Sequence, residues 1–217
     1  MRLIGMLDSP YVRRVAISLE MLGVPFKHEA VSVFSTFQQF QSINPVVKAP
    51  SLVCDDGEVL MDSSLILQFI ETTCGQSLWS QNPPELQREI RAVGLALAAC
   101  EKSAQIIYER NLRPVSAQHA PWLERVTGQL LAAYAGLERE VQSRSTGFSA
   151  SRGQAVVTAA VAWQFTQSSL AAIVPANSHS GLVALSERME RSPEFRKYPP
   201  VGPGVVATSN WSKATLH

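Results

Sequence analysis

The chain of 217 residues is 46% apolar and carries nineteen basic against eighteen acidic side chains, which suits a globular protein of one large or two small cores and not a disordered one. No run of like charge exceeds a pair such as Arg13-Arg14, so nucleic acid and membrane surfaces are excluded as expected partners. The longest apolar stretch, 155–163, is broken by Thr158 and too short to span a bilayer, and residues 1–20 hold Asp8, Arg13 and Arg14 instead of an unbroken signal segment; the expected location is the cytoplasm.

Leu3, Ile4, Gly5 and Met6 form an apolar run of strand length, and residues 10–22 then place Val12, Val15, Ala16, Leu19 and Leu22 at helical spacing. Ser9 stands where an N-cap belongs, Pro10 at the first helical position and Gly23 where a left-handed residue would stop the helix. A second strand is expected over 26–33, with Lys27 and Glu29 alternating onto the same face as Val31 and Val33. After a polar stretch containing Phe34, Phe37 and Phe40, residues 51–54 and 59–61 flank the turn Asp55-Asp56-Gly57 as a hairpin, followed by a helix over 64–73 ended by Gly75. This β-α-β-x-β-β-α order describes a four-stranded sheet covered by helices, over residues 1–77.

Residues 77–84 read as a linker, and helical spacing dominates from there. One long helix is expected over 86–112, another through Leu123, Val126, Leu130, Tyr134, Leu137 and Val141, and a short one through Leu182, Leu185 and Met189. Between them, 154–173 is apolar on most sides, as a helix in the middle of a bundle would be, and Ser151 with Gln154 three residues on is a capping-box pattern. An all-helical region over 85–198 and an irregular tail over 199–217 complete the expected organisation. Cys54, Cys74 and Cys100 are an odd number at wide spacings, and His28, His119, His179 and His217 lack the i, i+4 pairing of a helical metal site; the expectation is reduced thiols and no metal.

Four segments, in order, resemble the cytosolic glutathione S-transferases, and the resemblance covers nearly the whole chain. Ser9-Pro10-Tyr11-Val12-Arg13-Arg14 is similar to the active-site serine segment of the bacterial, theta-like and zeta-like members. Asn44-Pro45-Val46-Val47-Lys48-Ala49-Pro50 resembles the family's NPxGKVP turn, Asp62-Ser63 its acidic-residue-then-serine pair, and Arg191-Ser192-Pro193-Glu194-Phe195 its closing helix. The implied fold is an α/β N-terminal thioredoxin-like domain plus an all-α C-terminal helical bundle. The implied activity is transfer of glutathione, as a substrate, to a small apolar electrophile by a homodimer.

The resemblance assigns roles residue by residue. Ser9 would donate a hydrogen bond to the glutathione sulfur. A bond to a charged acceptor is worth roughly 1.5 to 3 kcal/mol, which would lower the thiol pKa from about 8.5 by about one to two. The helix N-terminus beside it would add roughly 0.3 to 1 kcal/mol, so hydrogen bonding is the larger effect. Pro50 would be a cis-proline that holds the main chain of Ala49 extended for pairing with the tripeptide. Lys48 would lie near the glycine carboxylate, Asp62 near the γ-glutamyl amine, and Ser63 with the following N–H groups near the γ-glutamyl carboxylate. The electrophile pocket would lie between the domains, with Leu7 and Tyr11 on one side and Tyr108 or Arg110 on the other.

Plainer readings stand beside these. Ser9 and Asp62-Ser63 are ordinary helix caps in isolation, and a backbone N–H and a thiolate would compete for the same Ser9 hydroxyl. Val47 replaces the usual glycine of the turn, which leaves the loop's path and the direction of Lys48 open, and Gln154 replaces the usual Asp of the buried helix. A second function is a non-catalytic protein of the same fold that binds a protein partner, as the stringent-starvation-type relatives do.

Overall fold

The computed structural model describes residues 1–143 and 152–205. At its start, the alternation of a pleated strand separates Leu3 from Ile4, so that β1 (Arg2–Ile4) faces two different cores. β1 pairs in parallel with β2 (Lys27–Glu29) and antiparallel with β3 (Ser51–Val53), which forms a hairpin with β4 (Val59–Leu60); the order is β2-β1-β3-β4. Leu52 and Val53 repeat the same division one strand across, with Leu52 opposite Leu3.

α1 (Pro10–Met21) lies on one face of this sheet, and its sequence explains its limits. Pro10 needs no N–H partner at the first helical position, and Gly23 takes φ +65° just past the end. The expected apolar stripe is buried, but so are Arg13, Arg14 and Ser18. The helix is therefore enclosed on nearly all sides, where amphipathic spacing alone implies one wet face.

The second strand is three residues long instead of eight, because the Glu29 carbonyl accepts from Val31 N–H at 3.0 Å in a tight turn that ends the ladder. Val31 is consequently buried with Ile4, Phe40 and Val53 and does not share a face with Lys27. The stretch 34–43, read from the sequence as a polar connection with no element assigned, contains α2 (Phe37–Ile43), which seats Phe40 in that second core. α3 (Ser63–Cys74) closes the α/β part, stopped by Gly75 at φ +69°.

α4 (Pro83–Leu112) starts inside the expected linker, because Asn82 accepts from Glu85 N–H as an N-cap and Pro83 and Pro84 occupy the first turn. α5 (Ala120–Gln142), α6 (Gln154–Leu170), α7 (Ser180–Glu190) and α8 (Pro193–Lys197) follow, with short 3-10 turns at Val115–Ala117 and Ala176–Ser178. Every residue of α6 from Gln154 to Trp163 is buried, as its all-round apolar character requires. Each fully buried Val or Leu contributes roughly 1.5 to 3 kcal/mol, and the core they form runs without a break from the sheet through α1 and α3 into α4, α5 and α6.

The capping box does not form as expected. Gly153 is the N-cap of α6 and places Gln154 at the first helical position, not the third; Ser151 lies outside the described residues, as do 206–217 with His217.

Candidate functional site

A cleft of about 1180 Å³ opens where the ends of α1, α3 and the 44–53 loop meet the middle of α4. Ser9, Lys48, Ala49, Pro50, Asp62 and Ser63 all line it, as do Tyr11, Tyr108 and Arg110. Leu7 is not among the lining residues; it packs against the main core.

Ser9 precedes α1 in an extended conformation, φ −73° and ψ 121°, and its carbonyl accepts from Arg13 N–H at 3.0 Å. Its hydroxyl makes no capping bond to the helix. The main chain of α1 therefore leaves that hydroxyl unused.

The loop after α2 is organised by Asn44 and Ser51, both buried. Asn44 Nδ2 donates to Ser51 Oγ at 2.8 Å, Ser51 Oγ donates to the Lys48 carbonyl at 2.8 Å, and Asn44 Oδ1 accepts from Val46 N–H at 3.0 Å. Ala49-Pro50 is cis, and Met61-Asp62 is cis as well. Val47 takes φ +53°, a left-handed conformation that costs a β-branched residue roughly 1 to 2 kcal/mol. The turn therefore has the positive φ that a glycine would adopt there, in spite of the side chain.

At α3 the capping reading holds, with Asp62 as the N-cap. Asp62 Oδ1 accepts from Ser64 N–H at 2.9 Å and Leu65 N–H at 3.4 Å, which leaves Oδ2 without a hydrogen bond among the described residues. Ser63 is 2% exposed, and its Oγ accepts from Arg14 Nη1 at 3.2 Å; the Ser64 hydroxyl accepts from the same nitrogen at 3.2 Å. Arg14 Nη2 also reaches Gln154 Oε1 at 3.4 Å, while Gln154 Nε2 donates to Ser18 at 2.9 Å. Gln154 thereby joins α6 to α1 by hydrogen bonds instead of capping its own helix.

The opposite wall is aromatic. Phe34 meets Tyr108 edge to face, ring centroids 5.6 Å apart, and so spans from the loop after β2 to α4. Burial pushes the Tyr11 phenol well above its ordinary pKa, with Cys100 and Glu101 adding in the same direction. Tyr11 therefore stays protonated and can only donate or accept as a neutral group. Tyr108 is 42% exposed at its side chain, yet the cleft walls around its phenol raise its pKa, with Asp8 as the second cause.

The tail forms part of the site. Pro200, Gly202, Pro203, Gly204 and Val205 line the cleft, Gly204 N–H donates to Asp8 Oδ2 at 2.8 Å, and Asn111 Nδ2 donates to the Val205 carbonyl at 3.1 Å. Gly202 lies so close to Asp8 that a Cβ there would sit 2.1 Å from the carboxylate. Sequence reasoning missed Asp8, Phe34 and this strap. The spacing of Phe37, Phe40 and Ile43 could have revealed α2, but an aperiodic Pro/Gly-rich strap carries no local signal.

Among the described residues, no group of three or more His, Cys, Asp or Glu could hold a metal ion, and no helix is long and apolar enough to cross a membrane. The three cysteines are free thiols; burial pushes Cys100 up to about 12.

Residues 3–77 match the family model described as "Glutathione S-transferase, N-terminal domain". A glutathione S-transferase U4 of Arabidopsis thaliana is 29% identical over 82 residues, 38% of this chain and 34% of that protein. The uncharacterized GST-like protein YibF of Escherichia coli is 29% identical over 131 residues, 60% of this chain and 61% of that protein. The chain thus spans about a third to three-fifths of the length of these relatives. Over nearly its whole length it superposes on a glutathione S-transferase from Methylobacterium radiotolerans solved in complex with glutathione sulfonate, with a TM-score of 0.86, 25% identity, and coverage of 95% of this chain and 98% of that one.

Proposed function

We propose that this chain, which belongs to the glutathione S-transferase family through residues 3–77 and has the family's fold of a thioredoxin-like domain followed by helices, is a glutathione transferase in which Ser9 activates the thiol. The observation that carries this reading is the Ser9 hydroxyl, free of its own helix and on the wall of a cleft large enough for a tripeptide and a second small molecule. Placed against glutathione, Ser9 donates to the sulfur and favours the thiolate, and the N-terminus of α1 adds to the effect. Lys48 takes the glycine carboxylate, Ala49 beside cis-Pro50 pairs main chain to main chain, Asp62 Oδ2 takes the γ-glutamyl amine and Ser63 the γ-glutamyl carboxylate. The thiolate then attacks a small apolar electrophile held against Tyr11, Tyr108, Phe34 and the aliphatic stem of Arg110, and either the electrophile's leaving group departs with the bonding pair or its double bond is saturated as the second carbon takes a proton from water.

A cytoplasmic role in detoxification belongs to this reading. The exposed Leu65 and Phe69 on α3 and Ile90 on α4 offer apolar surface for a second copy, in keeping with a homodimer. Calorimetric titration with glutathione of the wild type and Ser9→Ala, with thiolate absorbance followed against pH, tests the assignment. The expected result is glutathione binding by both proteins and a thiol pKa higher by about one to two in the variant. An unchanged thiol pKa removes Ser9 from its role, and failure of the wild type to bind glutathione favours a protein-binding member of the fold.

A further inference from the structure

Arg14 is a buried cation whose hydrogen-bond partners are all neutral. It is 2% exposed, its three hydrogen bonds go to Ser63, Ser64 and Gln154, and its Nε has no partner. Two carboxylates act on it from a distance, Asp62 and Glu71: Asp62 Oδ1 is taken by main-chain N–H groups and Glu71 Oε2 by the Ser77 hydroxyl at 2.7 Å, while Asp62 Oδ2 and the buried Glu71 Oε1 have no hydrogen bond among the described residues. Neither is hydrogen-bonded to the guanidinium among the described residues. Burial pushes Arg14 down to about 10, with Cys100, Asp62, Tyr11 and Glu71 acting in the opposite direction. Even so it stays charged at neutral pH.

A cation left in this state raises the potential where its hydrogen bonds lead, and they lead to the cleft wall. A hydroxyl oxygen that accepts from a guanidinium turns its own proton away from that guanidinium. Ser63, which lines the cleft, is therefore set as a donor toward whatever acceptor occupies it, and Ser64 beside it is set in the same way. The acceptor that balances a buried positive charge is an anion, and a carboxylate has the two oxygens to take both hydroxyl protons.

We propose that Arg14 is the positioning residue for the γ-glutamyl α-carboxylate of glutathione, acting through the oriented hydroxyls of Ser63 and Ser64 and supplying the counter-charge without touching the ligand. This rests on the glutathione reading above and adds to it a residue from a different helix.

The test compares two ligands on the full chain by calorimetry: glutathione, and the tripeptide in which 4-aminobutyrate replaces the γ-glutamyl residue, so that only the α-carboxylate is lost. Arg14→Met is expected to weaken glutathione binding by about 10- to 100-fold and to change binding of the truncated tripeptide by less than about twofold. Arg14→Lys keeps the charge but cannot span both seryl oxygens and Gln154, and should fall between. A purely structural role would weaken both ligands alike, and that result overturns the proposal, as does unchanged glutathione binding. If Arg14→Met does not fold, the same pair of titrations on Arg14→Lys decides by the same criterion. Equal affinity of the wild type for the two ligands sinks this inference alone, whereas failure of the wild type to bind either sinks the glutathione reading with it.

Discussion

Two adjacent arginines on α1 lead to two differently built regions. Arg13, 1% exposed, makes a bidentate pair with Glu190 at 2.6 and 2.7 Å, donates through Nε to the Tyr198 carbonyl at 2.8 Å and lies 5.2 Å from the centroid of Phe195. Arg14 is as deeply buried but ends on two hydroxyls and an amide. The Arg13 guanidinium is hydrogen-bonded to a carboxylate; the Arg14 guanidinium is hydrogen-bonded to neutral groups alone and keeps an unpartnered Nε. Because both side chains leave the same turn of one helix, the difference comes from what packs against each. α7 brings a carboxylate and α8 an aromatic ring to Arg13, while the start of α3 brings seryl oxygens to Arg14.

The comparison predicts that the Arg13 region sets stability and the cleft region sets binding. Arg13→Ala leaves Glu190 without its partner and should cost about 3 kcal/mol, the low end for a broken buried pair because Glu190 is 31% exposed. Urea unfolding measures the loss, and glutathione affinity should change by less than about twofold; a stability loss under about 1 kcal/mol would mean the pair adds little beyond packing.

Gly202→Ala tests how far the two regions are independent, because the strap that follows Tyr198 crosses from one to the other. A methyl group 2.1 Å from the Asp8 carboxylate must displace the strap. The expected outcome is a several-fold change in KM for a chlorodinitrobenzene electrophile, with a change in unfolding free energy below about 1 kcal/mol. If KM and stability both stay at wild-type values, the strap is not a wall of the working cleft.

The smallest effect lies at the edge of the Arg13 region. Lys197, donating at 2.8 Å, and Tyr198, at 3.1 Å, hold the Glu20 carboxyl below its ordinary value of 4.5. A carboxylate lowered in the native state stabilises above its unfolded pKa, and that contribution is lost as pH falls through the native value. The Tm advantage of the wild type over Glu20→Gln should therefore be small but present at pH 7 and should shrink as the pH is lowered progressively below 4.5. A difference that does not shrink with falling pH would assign it to packing instead of charge.

Much of this architecture is legible along the chain because its causes are local. Pro10 and Gly23 delimit α1, Asp62 and Gly75 delimit α3, and the largely apolar character of 155–163 marks the central helix. Each depends on the conformational limits of one residue or on a period of 3.6, both of which survive without neighbours. Strand length was less legible: alternation over 26–33 extends past Glu29, where a backbone hydrogen bond ends the ladder.

The candidate site divides in the same way. Ser9, Lys48, Ala49, Pro50, Asp62 and Ser63 stand in short motifs whose order could be read directly, and the fold brings them to one cleft. Asp8, Phe34 and the strap stand in no such motif, and Arg14 stands in the Ser9 segment with no sign there of its partners, because what matters about each is a partner more than 45 residues away or across a wall: Gly204, Tyr108 and Ser63. The sequence alone determined the long helices, the order of the layers and the residue types at the cleft, since propensity and periodicity act over a few residues. Only the tertiary structure decided which of two neighbouring arginines met a carboxylate and whether the Ser9 hydroxyl was used by its own helix, because charge compensation and hydrogen-bond competition depend on distances that chain order does not encode.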